Sequence, residues 1–168
     1  MAKNNCIDSE DHNYEIFKTA LYTVTEQLAK DLVRDGEGAT KFIEINVQGA
    51  NTYEDAKKMA KSVVTSSLVK AAMFGEDANW GRVLCAMGYS GVKFDPNKVD
   101  IIFESKNGSI LLMDNGTPIV FDEEKASHIL SEKEITVNIK ISEGSESAKA
   151  WGCDLSYDYV KINGDYRS

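Results

Sequence analysis

Between two glycines stands a single glutamate, in the run Arg34-Asp-Gly-Glu-Gly-Ala-Thr-Lys-Phe42. Glycines there let backbone approach a ligand closely while Glu37 projects a carboxylate at it. A carboxylate in that position suits a cationic group, such as an amine, and repels phosphate. Phosphate binding also fails on pattern. There is no G-x-x-x-x-G-K-[ST], and G-x-G-x-x-G breaks because Lys41 occupies the place of its third glycine. A plainer reading stands beside the functional one: a helix stop followed by a flexible turn.

Two further segments mix polar groups with aromatics. In Phe74-Gly-Glu-Asp-Ala-Asn-Trp-Gly-Arg82, either Asp77 or Asn79 caps a following helix or the polar side chains face a ligand. The C-terminal run Trp151-Gly-Cys-Asp-Leu-Ser-Tyr-Asp-Tyr-Val-Lys-Ile-Asn-Gly-Asp-Tyr-Arg-Ser168 stays aromatic almost to its end. Chain ends are usually polar and frayed, so this one is expected to be tucked against the fold. Familiar catalytic sets are missing. His12 and His128 have no partner that suggests a triad, and no C-x-x-C or H-E-x-x-H occurs, so no zinc site is expected. Asn107-Gly-Ser and Asn115-Gly-Thr match glycosylation sequons but read as turns.

The elements that must position these groups follow from periodicity. Ile16, Phe17, Ala20, Leu21, Val24, Leu28, Leu32 and Val33 recur at three and four, predicting a helix over about 10–34 with one buried stripe. Asp35-Gly36 ends it with a left-handed stop. Residues 41–48 alternate as a strand. Thr52 caps a helix, supported by Asp55, that carries Ala56, Ala60, Val63, Val64, Leu68 and Ala71 inward to near Gly75. A shorter helical or irregular stretch ends at Gly88-Tyr-Ser-Gly91. Short strands at 99–104, 110–113 and 119–121 are joined by Asn-Gly turns as a meander. A helix capped by Asp122 follows. Two longer strands come last, one through Ile135, Val137, Ile139 and Ile141, the other through Trp151, Cys153, Leu155, Tyr157 and Tyr159. This mixture predicts an α+β class, helices packed on a largely antiparallel sheet, as one domain over 1–168 with residues 1–8 a loose lead-in.

Composition narrows the function. A chain of 168 residues can bury roughly 70% of its unfolded surface, enough for a core without staples. Apolar residues make up 42% and charged ones 27%, a soluble profile. A net charge of −8 argues against nucleic acid or anionic membrane as a partner. No apolar run approaches the roughly 18 residues of a membrane span, and the acidic start is no secretory signal. The unpaired cysteines Cys6, Cys85 and Cys153 suit a reducing compartment, and the cytoplasm is expected.

Taken together, Arg34–Phe42, Phe74–Arg82 and Ala150-Trp-Gly-Cys-Asp-Leu155 resemble the C-terminal, β-chain part of the bifunctional ornithine acetyltransferase/N-acetylglutamate synthase family of arginine biosynthesis. The resemblance covers about residue 28 to the end, with the first 27 residues looser. It implies an ornithine acetyltransferase-like fold and transfer of acetyl from N2-acetylornithine to glutamate through an acetyl-threonine intermediate. It implies no resident cofactor, with acetyl-CoA as a second donor in some members (amino-acid N-acetyltransferase activity). A family precursor cuts itself between alanine and threonine, giving α and β chains that assemble as α2β2. By the same resemblance, Glu37, Asn163 and Ser168 bind substrate (ornithine, N2-acetylornithine or glutamate), with the terminal carboxylate of Ser168 beside the pocket. The family usually ends in threonine and has alanine where Gly164 stands.

The largest departure is at the front. The nucleophilic threonine opens the family's β chain, whereas Met1-Ala-Lys-Asn-Asn5 resembles a segment well inside it. Ala39-Thr40 is not the cleavage step, and Thr40 is not the nucleophile. No catalytic residue is therefore expected in these 168 residues. The sequence reads as an engineered piece or the product of a split gene, whose partners would be the α chain and the upstream β segment. Losing a nucleophile costs roughly 10⁴- to 10⁶-fold in rate, so the isolated chain is expected to be inactive. The alternative is a non-catalytic amino-acid-binding or interaction domain derived from the family.

Overall fold

The computed structural model describes residues 6–166. The chain divides into two compact units, residues 1–32 and 33–168. The first unit is a helix, α1 (His12–Arg34), whose last two residues belong to the second. None of its residues is buried, and Ile16, Phe17, Leu21, Val24, Leu28 and Leu32 are all at least half exposed. This corrects the buried stripe. Periodicity tells which residues share a face, not whether that face is covered.

The second unit is a six-stranded sheet with helices on one face. Its strands are β1 (Phe42–Ala50), β2 (Val99–Ser105), β3 (Gly108–Asp114), β4 (Thr117–Pro118), β5 (Glu134–Ile141) and β6 (Glu146–Cys153). They lie in the order β4-β3-β2-β5-β1-β6. Only β1 and β5 run parallel; every other pair is antiparallel. The α+β class and largely antiparallel sheet are thus as the sequence predicts. Register aligns the apolar positions: Ile43, Ile45 and Val47 of β1 sit opposite Ile135, Val137 and Ile139 of β5. Ile139 and Val137 in turn face Ile101 and Phe103 of β2.

That face is covered by α2 (Tyr53–Thr65), α3 (Ser67–Phe74), α4 (Trp80–Gly88) and α5 (Glu123–Leu130). They contribute Met59, Val63, Met73, Val83, Met87, Ile129 and Leu130 to one buried core. The other face of the sheet is polar. Asn46 donates to Asn138 at 3.0 Å, Asn138 donates to Glu104 at 2.9 Å, and Lys149 and Trp151 both donate to Glu44.

Local chemistry explains where elements start and stop. Thr52 accepts from the Asp55 N–H and Asp122 from Glu124 and Lys125, as their caps predict. The meander is present, and at Asn115-Gly116 both residues take positive φ (44° and 72°), the two-residue turn that matches strand twist. Four expectations need correction. The helix over 52–75 breaks at Ser66, whose extended backbone ends α2 and caps α3, and this leaves Leu68 exposed. Ile119–Phe121 is not a strand: β4 ends at Pro118, and one last backbone bond follows, from the Ile119 N–H to the Leu112 carbonyl at 3.0 Å. The last strand ends at Cys153, and α6 (Tyr157–Asp165) follows. Ser156 caps α6 by accepting from the Tyr159 N–H, and Asp158 supports its first turn. The aromatic tail is exposed rather than tucked in, with Tyr157 and Tyr166 about four-fifths accessible.

Candidate functional site

The loop between α1 and β1 is held from both ends. At its start, the Arg34 guanidinium lies 4.5 Å over the Phe42 ring and bonds Glu134 at 3.1 Å. At its end, the buried carboxylate of Asp154 accepts the Thr40 and Lys41 N–H groups at 2.8 and 2.9 Å and the Thr40 hydroxyl besides. Gly36 is not the left-handed residue; Gly38 is, at φ +67°. A Cβ on Gly38 would stand 2.5 Å from the Tyr159 nitrogen, so only glycine lets this loop touch the start of α6. Ser156 closes the contact, donating to the Gly38 carbonyl.

Glu37 and Asn163, distant in sequence, are brought together. The Asn163 side-chain amide donates to Glu37 Oε2 at 2.8 Å and to the Tyr159 carbonyl at 2.9 Å. With both amide hydrogens spent, the Asn163 carbonyl oxygen and the Glu37 carboxylate form a pair of acceptors, both exposed. Such a pair attracts an ammonium or other N–H donor. Ser168, the third expected residue, lies outside the described residues.

Phe74–Arg82 joins this site by packing. Lys41, 8% exposed, extends its ammonium to Glu76 Oε1 at 3.2 Å and to the Leu130 carbonyl. Glu76 adopts a left-handed backbone, φ 57°, and also accepts from Ser127. The Phe74 and Tyr157 rings meet edge to face at 5.3 Å. Asn79 caps α4 by accepting from Arg82, and Arg82 donates to the Leu68 carbonyl. Of the two readings of this segment, the cap is therefore realised, and by Asn79. A crevice of about 280 Å³ beside the loop is lined by Arg34, Thr40, Phe42, Lys133 and Glu134, without Glu37.

Sequence reasoning missed Lys41, Glu76, Asp154 and Ser156 as parts of this assembly. Asp154 and Ser156 could have been found: a charge beside apolar Cys153 and Leu155 needs partners, and Ser-x-Asp is a helix start. Nothing in the sequence marks Lys41 as buried. Elsewhere, His12 and His128 are exposed and the three cysteines are free. A hydrogen bond from Lys106, 2.8 Å away, holds the Glu132 carboxyl below its ordinary range. Among the described residues no His, Cys, Asp and Glu cluster could hold a metal ion, and no helix is long and apolar enough to cross a membrane.

Comparison with known proteins gives this arrangement a family. The crystal structure of the arginine biosynthesis bifunctional protein ArgJ from Bacillus halodurans matches with a TM-score of 0.89 and 42% identity, covering 98% of this chain and 76% of that one. The fold is therefore that of an ArgJ protein. The ArgJ family model matches residues 1–168, and the chain belongs to the ArgJ family. The match extends the resemblance over the first 27 residues, which the motifs alone leave looser. Arginine biosynthesis bifunctional protein ArgJ 1 of Clostridium acetobutylicum is 52% identical over 98% of this chain and 40% of its own length. ArgJ of Caldanaerobacter subterraneus is 51% identical over all of it and 42% of its own length. The chain thus spans about two fifths of these relatives.

Proposed function

We propose that these residues form the acceptor-binding share of an N-acetyltransferase of arginine biosynthesis, which moves acetyl from N2-acetylornithine to glutamate. The observation that carries this reading is the Glu37–Asn163 contact at 2.8 Å, two acceptors side by side, one on the loop that bears the first family motif and the other on α6. In the first half-reaction a threonine hydroxyl attacks the acetyl carbonyl, the amide C–N bond breaks, and ornithine leaves with the proton on its amine. In the second, the glutamate amine attacks the acetyl ester and threonine is released. Each half handles an amine at the reacting end. Glu37 accepts a hydrogen bond from that amine and favours its cationic form when it is not reacting, while the Asn163 carbonyl orients it. The Ser168 carboxylate is proposed to add a third anchor.

The threonine and its self-cleavage are proposed to belong to the family's preceding segment, and the active assembly to be an α2β2 cytoplasmic enzyme. Acetyl-CoA would serve as a second donor and no resident cofactor is needed. The 168 residues alone are then inactive. The test is acetyl transfer from N2-acetylornithine to glutamate, with this chain alone and joined to the preceding segment of a relative. Activity in the joined protein alone supports the reading. A folded joined protein with no transfer points instead to a non-catalytic amino-acid-binding domain.

A further inference from the structure

Among the described residues four polar side chains are buried: Lys41, Ser66, Asp154 and Ser156. Three of them gather on the loop that carries Glu37. Ser66 and Ser156 make a controlled pair, since both are buried serines that cap a helix, at 7% and 3% exposure. Ser66 accepts the Val69 N–H at 3.4 Å at the start of α3. Ser156 does the same for Tyr159 at 3.2 Å and also donates its proton to the Gly38 carbonyl. One hydroxyl thus joins the residue after Glu37 to the helix turn before Asn163.

We infer that Ser156 is a positioning residue that sets the Glu37–Asn163 contact, an inference that builds on the amine-binding reading above. The loop cannot shift at its other end, because Asp154 grips the Thr40 and Lys41 amides. Gly38 and the Tyr159 nitrogen are in backbone contact, with no side chain between to act as a spacer. Asn163 stands four residues beyond Tyr159, roughly 6 Å along the helix axis, so a tilt at the start of α6 is carried to the side chain facing Glu37. The Ser156 hydroxyl is the side-chain link that resists this tilt.

The experiment uses Ser156→Gly, because glycine is tolerated at an N-cap while the hydroxyl is lost. The side-chain amide signals of Asn163 are followed by NMR in the ¹⁵N-labelled chain, and the shift caused by Glu37→Gln defines the contact. Ser156→Gly is expected to move these signals in the same sense and to weaken ornithine binding about tenfold, the size of one lost hydrogen bond. Ser156→Thr, which keeps the hydroxyl, restores both. Ser66→Gly leaves the Asn163 signals in place. Asn163 signals that stay at their wild-type positions in Ser156→Gly, or in Ser156→Ala should the glycine variant not fold, overturn the inference. A wild-type chain that binds no ornithine yet shows the Ser156-dependent shift removes the amine-binding reading and upholds the positioning role.

Discussion

The loop around Glu37 and the helix α1 depart from ordinary burial in opposite directions. Around the loop, charged and hydroxyl groups are inside: Lys41, Asp154 and Ser156 are all under one-tenth exposed. Along α1, large apolar groups are outside: Leu32 is 76% exposed and Leu28 57%. The two cases differ in whether the cost has been met. Buried polar groups are tolerable only when hydrogen-bonded, and no buried side-chain nitrogen or oxygen among the described residues lacks a partner. The loop is therefore finished locally, each buried side-chain donor and acceptor satisfied by a named neighbour. The stripe on α1 has no such completion, and contiguous apolar surface of this kind marks a place of association.

If the loop is the working end, its substitutions should dominate. The largest expected effect is on Glu37→Gln in the joined enzyme, where transfer should fall about 10²-fold or more while self-cleavage persists. Unchanged steady-state kinetics would sink the site. Next comes Asp154→Ala, which strands the Thr40 and Lys41 amides. A loss of about 3 kcal/mol is expected in urea unfolding, and a loss below about 0.5 kcal/mol would mean that the carboxylate holds nothing. Gly38→Ala places a side chain at φ +67° against the start of α6 and should cost about 1–3 kcal/mol by the same measurement.

The same contrast explains what could be read from sequence. Strands β1, β2 and β5 were legible because one buried face forces a period of two, and register then follows from aligning Ile43, Ile45 and Val47 with their neighbours. The helices α2 and α5 were legible from Thr52 and Asp122, which act within three residues. Glu37 is marked by its flanking glycines and Asn163 by the family resemblance alone, but their 2.8 Å contact depends on Gly38 meeting Tyr159, a long-range backbone approach. Alternation misled at Tyr157 and Tyr159, where the Ser156 cap outweighs the aromatic strand preference. Helical periodicity misled on α1, where the face was right and its burial was not. The first failure is one local signal outweighing another; the second concerns what a segment packs against, which a local pattern does not encode.

The apolar half of the comparison is tested by Leu21→Glu with Leu28→Glu. Sedimentation should show weaker self-association than in the unaltered chain, with unfolding of residues 33–168 changed by less than about 0.5 kcal/mol. Undiminished association would mean that the α1 stripe is not what brings chains together.

Glu132 gives the smallest effect and a baseline for both regions, being an ordinary charge whose main partner is Lys106 at 2.8 Å, with Asn107 a second donor. Its carboxyl is held below the usual 4.5 chiefly by the hydrogen bond from Lys106. A depressed folded value means its contribution to stability is present above the ordinary carboxylate range and is lost as pH falls through the lowered value. Lys106→Ala should therefore raise the Glu132 titration midpoint in ¹³C NMR and leave stability at neutral pH almost unchanged, because an ion pair whose lysine is 78% exposed contributes little. A neutral-pH loss comparable to that of Asp154→Ala would erase the distinction between a surface pair and the interlocked loop, and with it the reason for seating the chemistry at Glu37.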